Sequence, residues 1–126
     1  MTLQAVEAAS EEDELAAYLE GLPLGVGLLV VRHGPAAGSS FRLEKEHTSV
    51  GRHPDSDIFL DDITVSRRHV ALDRTDAGYV VRDVGSLNGT YVNRERTDQA
   101  VLRHGDELQV GRYRLTFVIG ADHREG

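Results

Sequence analysis

The segment Gly51–Asn93, GRHPDSDIFLDDITVSRRHVALDRTDAGYVVRDVGSLNGTYVN, decides the fold of this chain. Short apolar runs in it are separated by three polar clusters: Gly51-Arg52, Ser66-Arg67-Arg68-His69 and Ser86-Leu87-Asn88-Gly89-Thr90. Runs of that length, bounded by Gly, Pro, Asn and Asp, read as strands. The clusters then occupy separate loops that can converge at one end of a sandwich, where binding residues often gather. An arginine, hydroxyls and an amide held at that end suit a phosphate.

The same texture continues on both sides. Strands are predicted over 26–32, 40–43, 48–52, 58–60, 70–74, 79–83, 90–92, 100–102, 107–110 and 113–119. The last alternates most clearly, with Tyr113, Leu115, Phe117 and Ile119 on a core face and Arg114, Thr116 and Val118 on a mostly solvent face. Turns are marked by Gly34-Pro35 through Gly38, His53-Pro54-Asp55, Asp76-Ala77-Gly78, Asn88-Gly89, His104-Gly105-Asp106 and Gly111. The expected class is all-β, a sandwich.

Residues 1–24 read differently, as an acidic arm, and 121–126 as a tail on a domain spanning 25–120. Ser10 ahead of Glu11, Glu12 and Asp13 resembles a helix cap. Leu15, Tyr18, Leu19 and Leu22 repeat at helical spacing until Gly21 and Pro23 end the pattern. A helix of about ten residues is marginal alone, so its stripe either docks on the domain or serves a partner.

Composition excludes several functions. The net charge is -7, yet Glu7, Glu11, Glu12, Asp13, Glu14 and Glu20 lie in the arm, leaving 14 bases against 15 acids from residue 21 onward. A near-neutral domain lacks the basic stripe that nonspecific nucleic-acid binding needs. With no cysteine there is no disulfide, thiol nucleophile or cysteine-held metal. His33, His47, His53, His69, His104 and His123 have no zinc spacing, and no metal or cofactor is expected. The longest apolar run, 26–31, is far short of the ~20 residues that span a bilayer. A cytoplasmic protein is expected.

Each cluster has a bland reading beside a functional one. Arg52 ends a predicted strand, either pairing with Asp55, Asp57 or Asp61 or offering its fork to a phosphate. Ser66 either shapes a turn or donates to an oxyanion, with His69 bracing the loop through a ring nitrogen. A nucleophilic Ser66–His69 pair is a third reading, but no Gly-x-Ser-x-Gly elbow accompanies it. Asn88-Gly89 is a turn signal, both residues tolerating positive φ. Ser86 and Asn88 also suit a peptide main chain or a phosphate, and Thr90 can support the loop.

Together, Gly51-Arg52, Ser66-x-x-His69 and Asp83-x-x-Ser86-x-Asn88-Gly89-Thr90 closely resemble the forkhead-associated (FHA) domain, over roughly residues 25–120. The resemblance implies a β-sandwich of about eleven strands that binds phosphothreonine peptides through loops at one end. It implies phosphate contacts from Arg52 and Ser66, a peptide contact from Asn88, and structural roles for Gly51 and His69. Arg67 occupies a position where the family often has another ligand-facing polar residue. Ser86 is counted with the peptide-binding residues, and Gly89 and Thr90 with those that support the loops. The function implied is phosphopeptide recognition without catalysis, in Ser/Thr kinase signalling.

GRHPDSDIFLDDITVSRRH and DVGSLNGTYVN are similar, more closely, to the small actinobacterial FHA regulators of GarA/OdhI type. That resemblance implies 2-oxoglutarate dehydrogenase or glutamate-metabolising enzymes as partners, with a Ser/Thr kinase acting on an N-terminal threonine. Here the chain departs: Thr2 is its only N-terminal threonine, and the Thr-Thr motif is absent. A generic phosphopeptide adaptor is the alternative, and a small Ser/His hydrolase the alternative of another class.

Overall fold

The computed structural model describes residues 15–121. The cap at Ser10, Thr2, the acids up to Glu14 and the tail from residue 122 lie outside the described residues.

Eleven strands build two sheets: β1 Gly27–His33, β2 Ser40–Leu43, β3 His47–Gly51, β4 Ile58–Phe59, β5 Val70–Thr75, β6 Gly78–Asp83, β7 Thr90–Val92, β8 Glu95–Arg96, β9 Gln99–Leu102, β10 Glu107–Val110 and β11 Tyr113–Ile119. One sheet has the order β2-β1-β11-β10-β7-β8 and the other β4-β3-β5-β6-β9. All pairings are antiparallel except β3 with β4. The all-β sandwich expected from the turn spacing is the observed architecture.

Alternation along the strands puts Leu29, Val31, Val50, Leu72, Val81, Leu108, Leu115 and Phe117 between the sheets, each almost fully buried. Burial of such side chains is worth about 1.5–3 kcal/mol each. Tyr79 joins them because its hydroxyl is satisfied inside: it donates to the Leu43 carbonyl at 2.8 Å and accepts from the Gly27 amide at 2.9 Å. Its ring meets Phe117 edge-on, with centroids 5.4 Å apart.

Two sequence expectations change. The strand Glu95–Arg96 was not expected; it closes a hairpin on β7 through Asn93 and Arg94, both at positive φ (51° and 71°). Asn88 is not among the positive-φ residues, and in the Asn88-Gly89 turn only Gly89 takes the left-handed conformation. The second change concerns Val118, placed on a mostly solvent face yet 0% exposed. A short helix over 15–19 and Leu22 cover that part of the outer face, packing Leu15, Tyr18, Leu19 and Leu22 against Leu28, Val30 and Val118. The apolar stripe therefore docks, and β1 is buried on both faces. Among the described residues no helix is long and apolar enough to cross a membrane.

Candidate functional site

The loops after β3, β4 and β6 are laced to one another by main-chain hydrogen bonds. The Arg52 amide donates to the Ser66 carbonyl at 2.9 Å, the His53 amide to the Arg67 carbonyl at 3.2 Å, and the His69 amide to the Val50 carbonyl at 3.0 Å. This close approach is why residue 51 is glycine. A Cβ there would lie 2.1 Å from the Arg67 carbonyl oxygen, a backbone atom that cannot step aside.

His69 and Asp83 hold the loops from below. His69 is 0% exposed; its Nδ1 accepts from the Ser66 amide at 3.1 Å and its Nε2 lies 2.9 Å from the Gly89 carbonyl. Those partners require the neutral ring with its proton on Nε2. Burial agrees with that state, pushing the imidazole below its ordinary value against the pull of Gly89 and the Asp83 charge. Asp83 accepts from the amides of Gly85 (2.8 Å) and Ser86 (2.9 Å), from Thr90 Oγ1 (2.7 Å) and from Ser86 Oγ. Burial works to raise its carboxyl, but these donors overcome it and hold the group far below the usual carboxylate range.

The remaining polar groups form a rim above this base. Arg52 donates only Nε inward, to the Val65 carbonyl at 3.0 Å, so both terminal nitrogens of its fork are unclaimed among the described residues. It makes none of the ion pairs envisaged with Asp55, Asp57 or Asp61; Asp57 pairs with Lys45 at 2.6 Å instead. Ser66 Oγ accepts from the Leu87 amide at 2.9 Å, which leaves its proton to donate. Asn88 donates Nδ2 to the Thr64 carbonyl at 3.0 Å, leaving its side-chain oxygen to accept. Arg67 is exposed, and its side chain has no partner among the described residues.

Ser86 belongs to the base by geometry, not the rim. Its single proton goes to Asp83 and its oxygen accepts from the Gly89 amide at 3.0 Å. Thr90, 1% exposed, supports the same carboxylate. The Ser66–His69 pair is not a dyad either, since both ring nitrogens are committed to main-chain groups and neither meets Ser66 Oγ.

Sequence reading missed three contributors. Asp83, noted only as part of a motif, is the loop hub. Ile63 and Leu87 stand 89% and 86% exposed beside the Thr64–Asn88 contact, two apolar groups offered to solvent at the rim. Their neighbours Asp62, Thr64, Ser86 and Asn88 are all tied, and only the fold reveals that.

The FHA domain model matches residues 48–111, about half of the chain and all of the site just described. The chain belongs to the FHA family. It is 57% identical to an "Oxoglutarate dehydrogenase inhibitor" of Corynebacterium jeikeium, over 94% of this chain and 83% of that protein. To the "Glycogen accumulation regulator GarA" of Mycolicibacterium smegmatis it is 58% identical, over 94% of this chain and 74% of that protein. Among solved structures, Mycobacterium tuberculosis EmbR in complex with a low-affinity phosphopeptide superposes with a TM-score of 0.70. That match has 34% identity and covers 79% of this chain and 26% of EmbR. A structure from an analysis of phosphothreonine-dependent FHA domain interactions also gives 0.70, at 25% identity over 77% of this chain and 99% of its own. In FHA terms the rim is the candidate ligand surface and the base its scaffold.

Proposed function

We propose that this FHA protein binds phosphothreonine peptides produced by a Ser/Thr kinase, and regulates 2-oxoglutarate dehydrogenase or glutamate-metabolising enzymes by binding them. The observation that carries the first half is the division of polar groups between rim and base. The rim offers its spare donors together, as the three acceptor oxygens of a phosphate need them. Phosphorylation adds about -1.5 to -2 charge and three strong acceptors. The free fork of Arg52 and the hydroxyl proton of Ser66 take the phosphate, Arg67 adds charge, and Asn88 takes the peptide main chain. Gly51, His69, Gly89 and Thr90 hold the loops, and Ser86 is assigned with them. The second half is supported by identity near 57% across 94% of the chain to a protein named as an oxoglutarate dehydrogenase inhibitor. The role is that of a binding module, not a catalyst, acting in the cytoplasm. The domain is proposed to run from 25 to 120, with 1–24 as its arm and 121–126 as its tail.

The test is a pull-down from cytosolic extract with and without phosphatase, comparing wild type with Arg52→Ala. Partners lost on phosphatase treatment and in the variant support phosphopeptide reading. Partners kept after phosphatase but lost in the variant support the metabolic regulator acting without phosphate. Partners kept in the variant under both conditions reject the site. Unchanged 2-oxoglutarate dehydrogenase activity at saturating protein removes that enzyme as the target.

A further inference from the structure

Asp62 is 8% exposed and lies behind the rim, in the loop between β4 and β5. Its Oδ2 accepts from the Thr64 amide at 3.0 Å and the Thr64 hydroxyl at 2.5 Å. Its Oδ1 accepts from Arg112 through Nε at 2.9 Å and Nη2 at 2.7 Å. The Thr64 hydroxyl oxygen in turn accepts from the Arg112 amide at 3.0 Å. One carboxylate thus fixes residue 64 to the turn between β10 and β11, two segments 48 residues apart. These bonds, Thr64 foremost and Arg112 after it, hold the Asp62 carboxyl below its ordinary range despite burial, so the clamp is charged at neutral pH.

What the clamp holds is the Thr64 carbonyl, and that carbonyl is the sole protein partner of the Asn88 side chain among the described residues. An exposed asparagine is free to rotate or flip its amide; bonded through Nδ2, it presents its oxygen outward. Asn88 also lines a cavity of about 340 Å³ with Thr64, Tyr91, Gln109 and Arg112, so nothing else confines it on that side.

We infer that Asp62, whose nearly buried carboxylate is engaged by Thr64 and Arg112, is a positioning residue for peptide recognition: through Thr64 it sets the orientation in which Asn88 meets the ligand main chain. This rests on the assignment of the rim given under the proposed function. Its consequence is specific. Loss of Asp62 weakens the grip on peptide but not on the phosphate, which Arg52 and Ser66 hold from other anchors.

The experiment titrates two ligands into the labelled protein by NMR: a phosphothreonine peptide and free O-phosphothreonine. Asp62→Asn keeps the shape and removes the charge, and Thr64→Val cuts the same link should Asp62→Asn fold poorly. Each variant is expected to weaken peptide binding about tenfold, the scale of a neutral amide–main-chain hydrogen bond lost, while free phosphothreonine binds as to wild type. In an Asn88→Ala background the added substitution is expected to cost nothing more, because its effect passes through Asn88. Equal losses on both ligands, no loss on either, or a full further loss without Asn88 overturns the inference. Should wild type bind neither ligand, the phosphothreonine reading itself fails and the inference falls with it; should wild type bind and the variants match it, only the inference fails.

Discussion

Base and rim of the loop cluster are both built from polar residues and differ in what those residues have left to give. Asp83 and His69 below have their hydrogen-bonding groups met by the protein itself. Arg52, Ser66 and Asn88 above each spend one group on the fold and hold another in reserve. Ser86 and Asn88, two positions apart, fall on opposite sides of that line. Partial satisfaction is therefore the mark of the proposed binding surface, more telling than residue type or exposure. An unmet group at the rim costs little because water serves it, whereas an unmet group at the base costs about 1–3 kcal/mol.

The comparison breaks most visibly at Asp83. Asp83→Ala strips four donors of their acceptor and is expected to lower unfolding free energy by about 3 kcal/mol in urea denaturation. A loss below about 1 kcal/mol would mean that the base is not a keystone. Ser86→Ala sharpens the line within one loop: about 1.5 kcal/mol of stability is lost, with phosphopeptide affinity within about threefold of wild type once folding is corrected for.

His69 gives the pH dependence. Its folded pKa is lowered from the ordinary 6.5, so below pH 6.5 the unfolded chain takes up a proton that the folded one refuses. Its contribution is intact above that pH and is lost as pH falls toward the folded value, at up to about 1.4 kcal/mol per unit. Asp83, depressed as well, holds its contribution until far stronger acid. In NMR titration the His69 ring resonances should titrate with a midpoint below the ordinary 6.5; a midpoint at or above 6.5 refutes the buried neutral ring. The smallest effect belongs to Arg67→Ala, at the exposed rim: about threefold in phosphopeptide affinity, greater at low salt, and no measurable change in stability.

The strands were legible wherever apolar alternation had room to repeat. Glu95–Arg96 offered two exposed polar residues and no alternation, and its turn used Asn93 and Arg94 without the glycine that signals a hairpin. Val118 was misread because the strand's own pattern carries no trace of the helix that covers it from almost a hundred residues away. The candidate site was legible as motifs: Arg52, Ser66, Asn88, Gly51 and His69 stand in three loops that share hydrogen bonds. The direction each side chain faces was not legible. A serine in a loop reads the same whether its proton goes to Asp83 or to solvent, so Ser86 was grouped with Asn88. The roles of Asp62 and Asp83 were not legible, since their partners come from other segments or from turns that form only in the folded chain.

The most direct measurement is calorimetric titration of one threonine peptide, phosphorylated and unmodified, into wild type, Arg52→Ala and Ser66→Ala. The phosphorylated form is expected to bind wild type and the unmodified form not to. Arg52→Ala should lose about a hundredfold and Ser66→Ala about tenfold, both unfolding within a few degrees of wild type. Equal affinity of the three proteins for the phosphopeptide would contradict the assignment of the rim as its binding surface.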